Sequence, residues 1–516
     1  MGITNKSYIK NYLQTYLWQG IAIIMNLASM FIVIPMITDN KIVYGVYSVC
    51  ISTAMFLSYA DLGFMTAAYK YAGESYAKGK KNDELKLLGF SGFILFVFVA
   101  LIAAIYLLLS YNPSLLINDI QKSAYLSIAS SLLFIQAVFS FNTILQRFVS
   151  GVFQIRIEGF VFQRITIVGA LIKIVSVFYF FGVDKYDIVG YFLFTKIIEL
   201  LTLFIGVWII NTKYKLPFID YIKAFKFDKV VYQKTKGLAF SSLFVTFMWI
   251  LYYELDVIAV GKLLGASAVA VFALAFTFMK FLRSLSSTIF SPFQNRYNHL
   301  VGLNDMTGLK VILNKVILFT MPIFVFIILS IIVLSNNIVQ CWAGKNYTQS
   351  GTILALLAIN FMFAFIKDPS SAMLQTLVRI KEMYWINLLT VVVFWSGVLL
   401  TKNYFGVNSF AIFKLASGTL AMLFYLRFLL GFLEISFYRF FKMTISKLII
   451  PIIIQGAFLM LITRYLPETK SKLHLLTVLG VGGLGTLLGF ITLYFISAYY
   501  KTEFNYYFAK ILRRNK

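Results

Sequence analysis

The chain has 516 residues, of which 60% are hydrophobic and only 13% charged, with a formal net charge of +26 and a mean hydropathy of +0.84. Soluble proteins carry about 25% charged residues, so this composition excludes a string of soluble domains and points to one integral membrane unit. The basic excess falls between apolar runs, where a membrane accounts for it and nucleic acid is not required. The two cysteines, Cys50 and Cys341, lie in or beside apolar segments, which suggests neither a disulfide framework nor a thiolate metal site.

The first apolar run, 12 to 37, is longer than a signal-peptide core and has no small-x-small cleavage site before the next run, so it reads as a mature helix. Thirteen more runs are long enough to cross about 30 Å of hydrocarbon. They are 44 to 69, 87 to 110, 123 to 146, 161 to 181, 188 to 210, 237 to 260, 267 to 293, 312 to 334, 350 to 366, 384 to 400, 408 to 432, 444 to 463 and 475 to 499. The tenth is expected to kink at Lys367-Asp368-Pro369 and to continue toward Arg379.

Charge bias provides an independent test of that count. With the N-terminus cytoplasmic, the eight cytoplasmic segments hold thirty lysines and arginines and the seven opposite loops hold nine. The bias places both ends in the cytoplasm, because a missed or invented span would reverse the pattern downstream. The one large cytoplasmic connection, 211 to 236, alternates Lys213, Lys215, Lys223, Lys226, Lys229, Lys234 and Lys236 with aromatic residues. This suits an amphipathic interfacial helix on anionic lipids.

That connection divides the first twelve spans six and six. The expected organisation is an N-terminal six-helix bundle over 1–210, the basic linker over 211–236, a second six-helix bundle over 237–432, and two further helices with a basic tail over 433–516. Six spans per half would give the halves the same orientation, related by a pseudo-twofold axis along the membrane normal.

Charges inside apolar spans are costly and tend to face a bundle interior or cavity. Lys173, Lys280, Arg283 and Arg427 are the cationic candidates for lining a cavity, and Asp61, Glu254 and Asp256 the acidic candidates for gating, coupling or structure. Snorkelling to the interface or pairing along one helix face are the structural alternatives. Cations in a cavity imply an anionic or amphiphilic cargo, and phosphate is their natural partner. The chain has no Walker motif, and neither His299 nor His474 sits in a ligand constellation, so an enzyme is not expected.

Several stretches in this order resemble the polysaccharide-unit flippases of the multidrug, oligosaccharidyl-lipid and polysaccharide exporter superfamily. One runs from Tyr44-Gly45-Val46-Tyr47 through Ala60-Asp61-Leu62-Gly63 and on over Tyr71 to Lys80. Another is Leu255-Asp256-Val257-Ile258-Ala259-Val260-Gly261-Lys262-Leu263-Leu264-Gly265-Ala266, continuing to Val271-Phe272-Ala273-Leu274-Ala275. A looser match is Gly151-Val152-Phe153-Gln154-Ile155-Arg156. The resemblance implies a V-shaped pair of six-helix bundles in a bacterial cytoplasmic membrane. It implies a cationic cavity and transport of polyprenyl-diphosphate-linked oligosaccharide units to the external leaflet for surface polysaccharide synthesis. No cofactor is implied, but coupling to a proton or sodium gradient is, and a polysaccharide polymerase or other assembly protein is an implied partner. By this resemblance Lys173 and the pair Lys280 and Arg283 would meet the diphosphate or acidic sugars, while Asp61 and Asp256 would serve gating or structural contacts. The alternatives are an ion-coupled small-molecule antiporter, a flippase for a lipid-linked peptidoglycan precursor, and a non-transporting membrane enzyme or scaffold.

Overall fold

The computed structural model describes residues 5–118, 120, 122–182 and 184–505; the basic tail from 506 onward lies outside the described residues. Every regular element among them is helical. Eleven helices are long and apolar enough to cross a membrane, or thirteen if each of two bent pairs is one span. Large apolar side chains stand exposed along them, such as Leu101, Ile105 and Leu108 on one helix and Val168, Leu171 and Val175 on another. Exposure on this scale suits helices surrounded by lipid. The chain divides into two compact units, residues 1–270 and 271–516.

Unit 1 contains α1 (Asn5–Ile37), α2 (Lys41–Ser52), α3 (Met55–Ser58), α4 (Phe64–Ala77), α5 (Lys81–Tyr111) and α6 (Ser123–Phe139). It continues with α7 (Asn142–Ile155), α8 (Gly159–Phe180), α9 (Ile188–Tyr214), α10 (Phe218–Ala224), α11 (Lys229–Trp249) and α12 (Asp256–Leu264). Helix α8 packs between α1 and α9, α5 between α4 and α6, and α10 lies on α5. The core of α4, α5, α7 and α10 is aromatic: Phe148 meets Tyr221 at 4.1 Å between ring centroids, and Phe64, Phe90 and Phe153 are buried around it.

Two expected spans differ from simple rods. The second, 44 to 69, is broken. The Thr53 hydroxyl donates to the Cys50 carbonyl at 2.6 Å, the Thr53 carbonyl accepts from buried Tyr106 at 2.6 Å, and the chain turns before α4 through Leu62 and Gly63, both at positive φ (47° and 83°). Side-chain hydrogen bonds of this kind divert carbonyls from the helical ladder. The seventh, 237 to 260, is composite: α11 passes through a π-helical turn, Ile250–Glu254, into α12. Helix α12 packs on α2.

Two of the motif stretches, the one that opens at Tyr44-Gly45 and the one that runs through Gly265-Ala266, meet each other. A Cβ on Gly45 would sit 2.0 Å from the Ala266 carbonyl oxygen, so only glycine permits that approach. The Gly261 carbonyl also accepts from the Asn118 amide at 3.1 Å.

Helix α13 (Ala266–Gly302) begins in unit 1 and leads into unit 2, which holds α14 (Met306–Ala343), α15 (Thr348–Met362), α16 (Ala364–Thr376), α17 (Ile380–Phe405) and α18 (Asn408–Leu433). The last elements are α19 (Phe437–Met443), α20 (Ile449–Thr463) and α21 (Lys472–Ile496). The tenth span does bend, by 51° between α15 and α16, but at Phe363 and not at the expected Lys367-Asp368-Pro369, which lie inside α16. Helix α14 is the centre of the unit, packing on α15, α16, α20 and α21. The last two helices are fastened to it by polar contacts. Ser330 donates to the Gly482 carbonyl at 3.0 Å, and Gln455 donates to the Phe326 carbonyl at 2.8 Å and to Ser330 Oγ at 2.9 Å. Small residues and such hydrogen bonds hold helices together where lipid offers no hydrophobic drive.

Candidate functional site

The fourth span bends by 45° between α6 and α7. Ser140 turns its hydroxyl onto the Ala137 carbonyl at 2.7 Å, and the two helices resume at a new angle. Beside this break, unit 1 has a cavity of about 310 Å³. Gln136 and Asn142 line it from the two sides of the bend, Leu57 and Ser58 from α3, and Lys196 and Glu199 from α9. Both amides are buried, Gln136 at 1% and Asn142 at 7% exposure. Gln136 Nε2 and Oε1 and Asn142 Nδ2 find no hydrogen-bond partner among the described residues. Buried polar atoms are nearly always satisfied, so three in one cavity wall call for an explanation.

The charged groups of this cavity are engaged. Arg147 donates to the Ser58 carbonyl, and its own carbonyl accepts from Tyr69 at 2.6 Å. Lys196 pairs with Glu199 at 3.4 Å and stands 5.5 Å from the Phe192 ring centroid. Lys173 is half-buried on α8 and is not among the residues that line the cavity.

The other residues singled out from sequence are dispersed. Lys280 is exposed on α13, its ammonium 5.2 Å from the Phe276 ring centroid. Arg283 is half-buried one turn further, and Arg427 is exposed on α18. All three belong to unit 2, whereas Lys173 belongs to unit 1. Asp61 accepts the Met65 amide at 3.1 Å, which caps α4 after the positive-φ pair. Glu254 ends the π-helical turn, half-buried, and Asp256 opens α12, fully buried.

Sequence reading by charge missed three features. Gln136 was visible as one amide in an apolar stretch, Leu132-Leu133-Phe134-Ile135-Gln136-Ala137-Val138, but it carries no charge. Glu84 and Arg156 lie outside the expected spans, yet both are buried and form a bidentate ion pair at 2.7 and 3.1 Å. Arg156 also donates to the Val152 carbonyl at 3.1 Å and lies against Tyr76 and Tyr214, 4.6 and 5.0 Å from their ring centroids. The planar guanidinium suits this combination of fork and stack. In unit 2, Asp368 accepts from Ser286 of α13 beside the α15–α16 bend.

Comparisons with known proteins agree with this architecture. A family model described as MatE matches residues 241–400, less than half of the chain. No curated protein sequence matches. Among solved structures, the lipid II flippase MurJ in an inward closed conformation aligns with a TM-score of 0.65 at 15% identity, covering 93% of this chain and 98% of that one. An inward-facing multidrug resistance MATE family transporter of the MOP superfamily aligns with a TM-score of 0.62 at 12% identity, covering 80% of this chain and 95% of that one. A MATE structure in complex with MaD3S reaches 0.51 at 13% identity, covering 83% and 97%. At such identities the likeness speaks to architecture, and the chain has the multi-helix membrane fold shared by MurJ and the MATE transporters.

Proposed function

We propose that this protein is a flippase for a lipid-linked saccharide, moving a polyprenyl diphosphate that bears sugars from the cytoplasmic to the external leaflet of a bacterial membrane, with both chain ends cytoplasmic. The observation that carries the proposal is the polar cavity in unit 1, where buried amides and engaged charges stand together beside the α6–α7 bend. A saccharide headgroup needs such a refuge from hydrocarbon, while a polyprenyl tail does not. Motif resemblance favours a surface-polysaccharide repeat unit as cargo. Likeness to the lipid II flippase over 93% of the chain supports a peptidoglycan precursor more strongly, and we take that as the first cargo to test. Both cargoes share the diphosphate and the sugars.

A second reading, an ion-coupled small-molecule antiporter, is favoured by the MatE match and the MATE-like fold. Proteoliposomes separate the two. With purified protein, lipid II is expected to become accessible on the opposite leaflet faster than in protein-free vesicles, and a cationic dye is expected not to accumulate against an imposed sodium or proton gradient. Dye accumulation without lipid movement would replace the first reading with the second. Arg283→Ala is expected to slow lipid movement several-fold at normal membrane insertion; full activity would remove Arg283 from the cargo path.

A further inference from the structure

We infer that the cavity at the α6–α7 bend is a saccharide subsite, which takes an uncharged, hydroxylated sugar ring of the cargo and leaves the phosphates outside. The inference rests on the lipid-linked-saccharide reading and sharpens it. Three observations weigh against phosphate as the occupant. The guanidinium of Arg147 already donates to the Ser58 carbonyl. The ammonium of Lys196 already pairs with Glu199. The Glu199 carboxylate is itself part of the wall, and it would repel an anion there.

The hydrogen-bonding capacity that is both buried and unsatisfied in the wall is neutral. Gln136 offers an amide donor and an acceptor side by side, and Asn142 offers a second donor, all buried and unsatisfied among the described residues. Thr143 and Ser150 add hydroxyls, and Phe139 adds an aromatic ring. Neighbouring hydroxyls on a sugar ring, or a hydroxyl beside an acetamido group, present the complementary alternation of acceptor and donor. Aliphatic ring faces also pack on aromatic side chains, whereas a diphosphate needs neither feature. The volume, about 310 Å³, is at the lower end of small-molecule pockets, roughly 300–1,000 Å³. It accommodates one sugar ring and excludes a whole disaccharide-peptide headgroup.

The test uses the full chain in lipid nanodiscs with two probes, lipid II and sugar-free undecaprenyl diphosphate. The double substitution Gln136→Leu with Asn142→Leu is expected to weaken lipid II binding about tenfold and to leave binding of the sugar-free lipid within about twofold. Equal weakening for both probes would mark a phosphate site and overturn the inference. Unchanged binding of both would overturn it as well. A readout on the unaltered protein guards against a variant that fails to fold: lipid II should slow backbone amide exchange over residues 142–150 more than the sugar-free lipid does. Equal protection by the two would overturn the inference. Failure of the unaltered protein to bind or move either lipid would instead overturn the flippase reading on which it rests.

Discussion

The two ends of α7 treat polarity in opposite ways. At the C-terminal end, Arg156 is enclosed by the Glu84 carboxylate, a backbone carbonyl and two tyrosine rings. Next to it Glu158 accepts from Tyr214 at 2.5 Å and pairs with Lys213. At the N-terminal end, Asn142 and nearby Gln136 border a cavity with amide atoms that no described residue satisfies. The first end joins α4, α5, α7 and α9 and leaves nothing for a ligand. The second leaves buried donors and an acceptor unsatisfied in a cavity wall. At α7 the buried charge marks architecture and the unsatisfied buried amides mark the proposed site, the reverse of a ranking by charge alone.

The largest expected effect comes from breaking the first end. Glu84→Gln leaves the Arg156 charge buried without its counterion, and removal of one partner of such a pair costs about 3–5 kcal/mol. The loss would be read as a drop in thermal midpoint and in the yield of monodisperse protein. Replacing both residues, Glu84→Leu with Arg156→Leu, should recover most of that stability, since well-packed apolar residues can stand in for a buried pair. If the double variant is as unstable as Glu84→Gln, the aromatic stacking of Arg156 rather than its charge pairing holds the helices together.

A smaller effect is expected where α10 rests on α5. A Cβ on Gly89 would lie 2.5 Å from the Ala224 carbonyl oxygen, a backbone atom that can move only with the whole helix. Gly89→Ala should cost about 1–3 kcal/mol by overpacking, and by loosening α10 it should speed tryptic cleavage at the exposed linker lysines Lys223 and Lys226. Unchanged cleavage would mean that α10 is held by its aromatic contacts, Tyr221 with Phe148 and Phe218, independently of that approach.

Much of the fold was legible because a membrane span needs only length and apolarity, and thirteen of the fourteen expected spans have counterparts among the long or bent helices. The breaks were harder to read. Thr53 and Ser140 stand at the breaks with their hydroxyls bonded to carbonyls three residues back, but Ser176 and Thr195 make the same bond inside unbroken helices, so a threonine or serine in an apolar run carries no mark of a break. Asp61, a charge in an expected span with gating, coupling or structural roles open to it, accepts the Met65 amide at the start of α4, a contact that its sequence neighbours do not announce. For the candidate site the limit was pairing: Glu84 and Arg156 are 72 residues apart, and no local pattern joins them. Gln136 was in plain view, and its meaning came only from the lack of a partner in three dimensions.

The smallest stability change, and the one that most directly tests the contrast, belongs to Gln136→Leu. An unsatisfied buried amide is a liability to the fold, and replacing it by an apolar group of similar shape is nearly neutral or stabilising, by about 1 kcal/mol. The thermal midpoint should hold or rise slightly while movement of lipid II falls. This opposition distinguishes a binding group from a structural one, because a side chain that supports the bend would lose stability and activity together. Gln136→Leu with a lowered midpoint would place Gln136 with Glu84 and Arg156, among the groups that hold unit 1 in shape, and the two ends of α7 would then be alike.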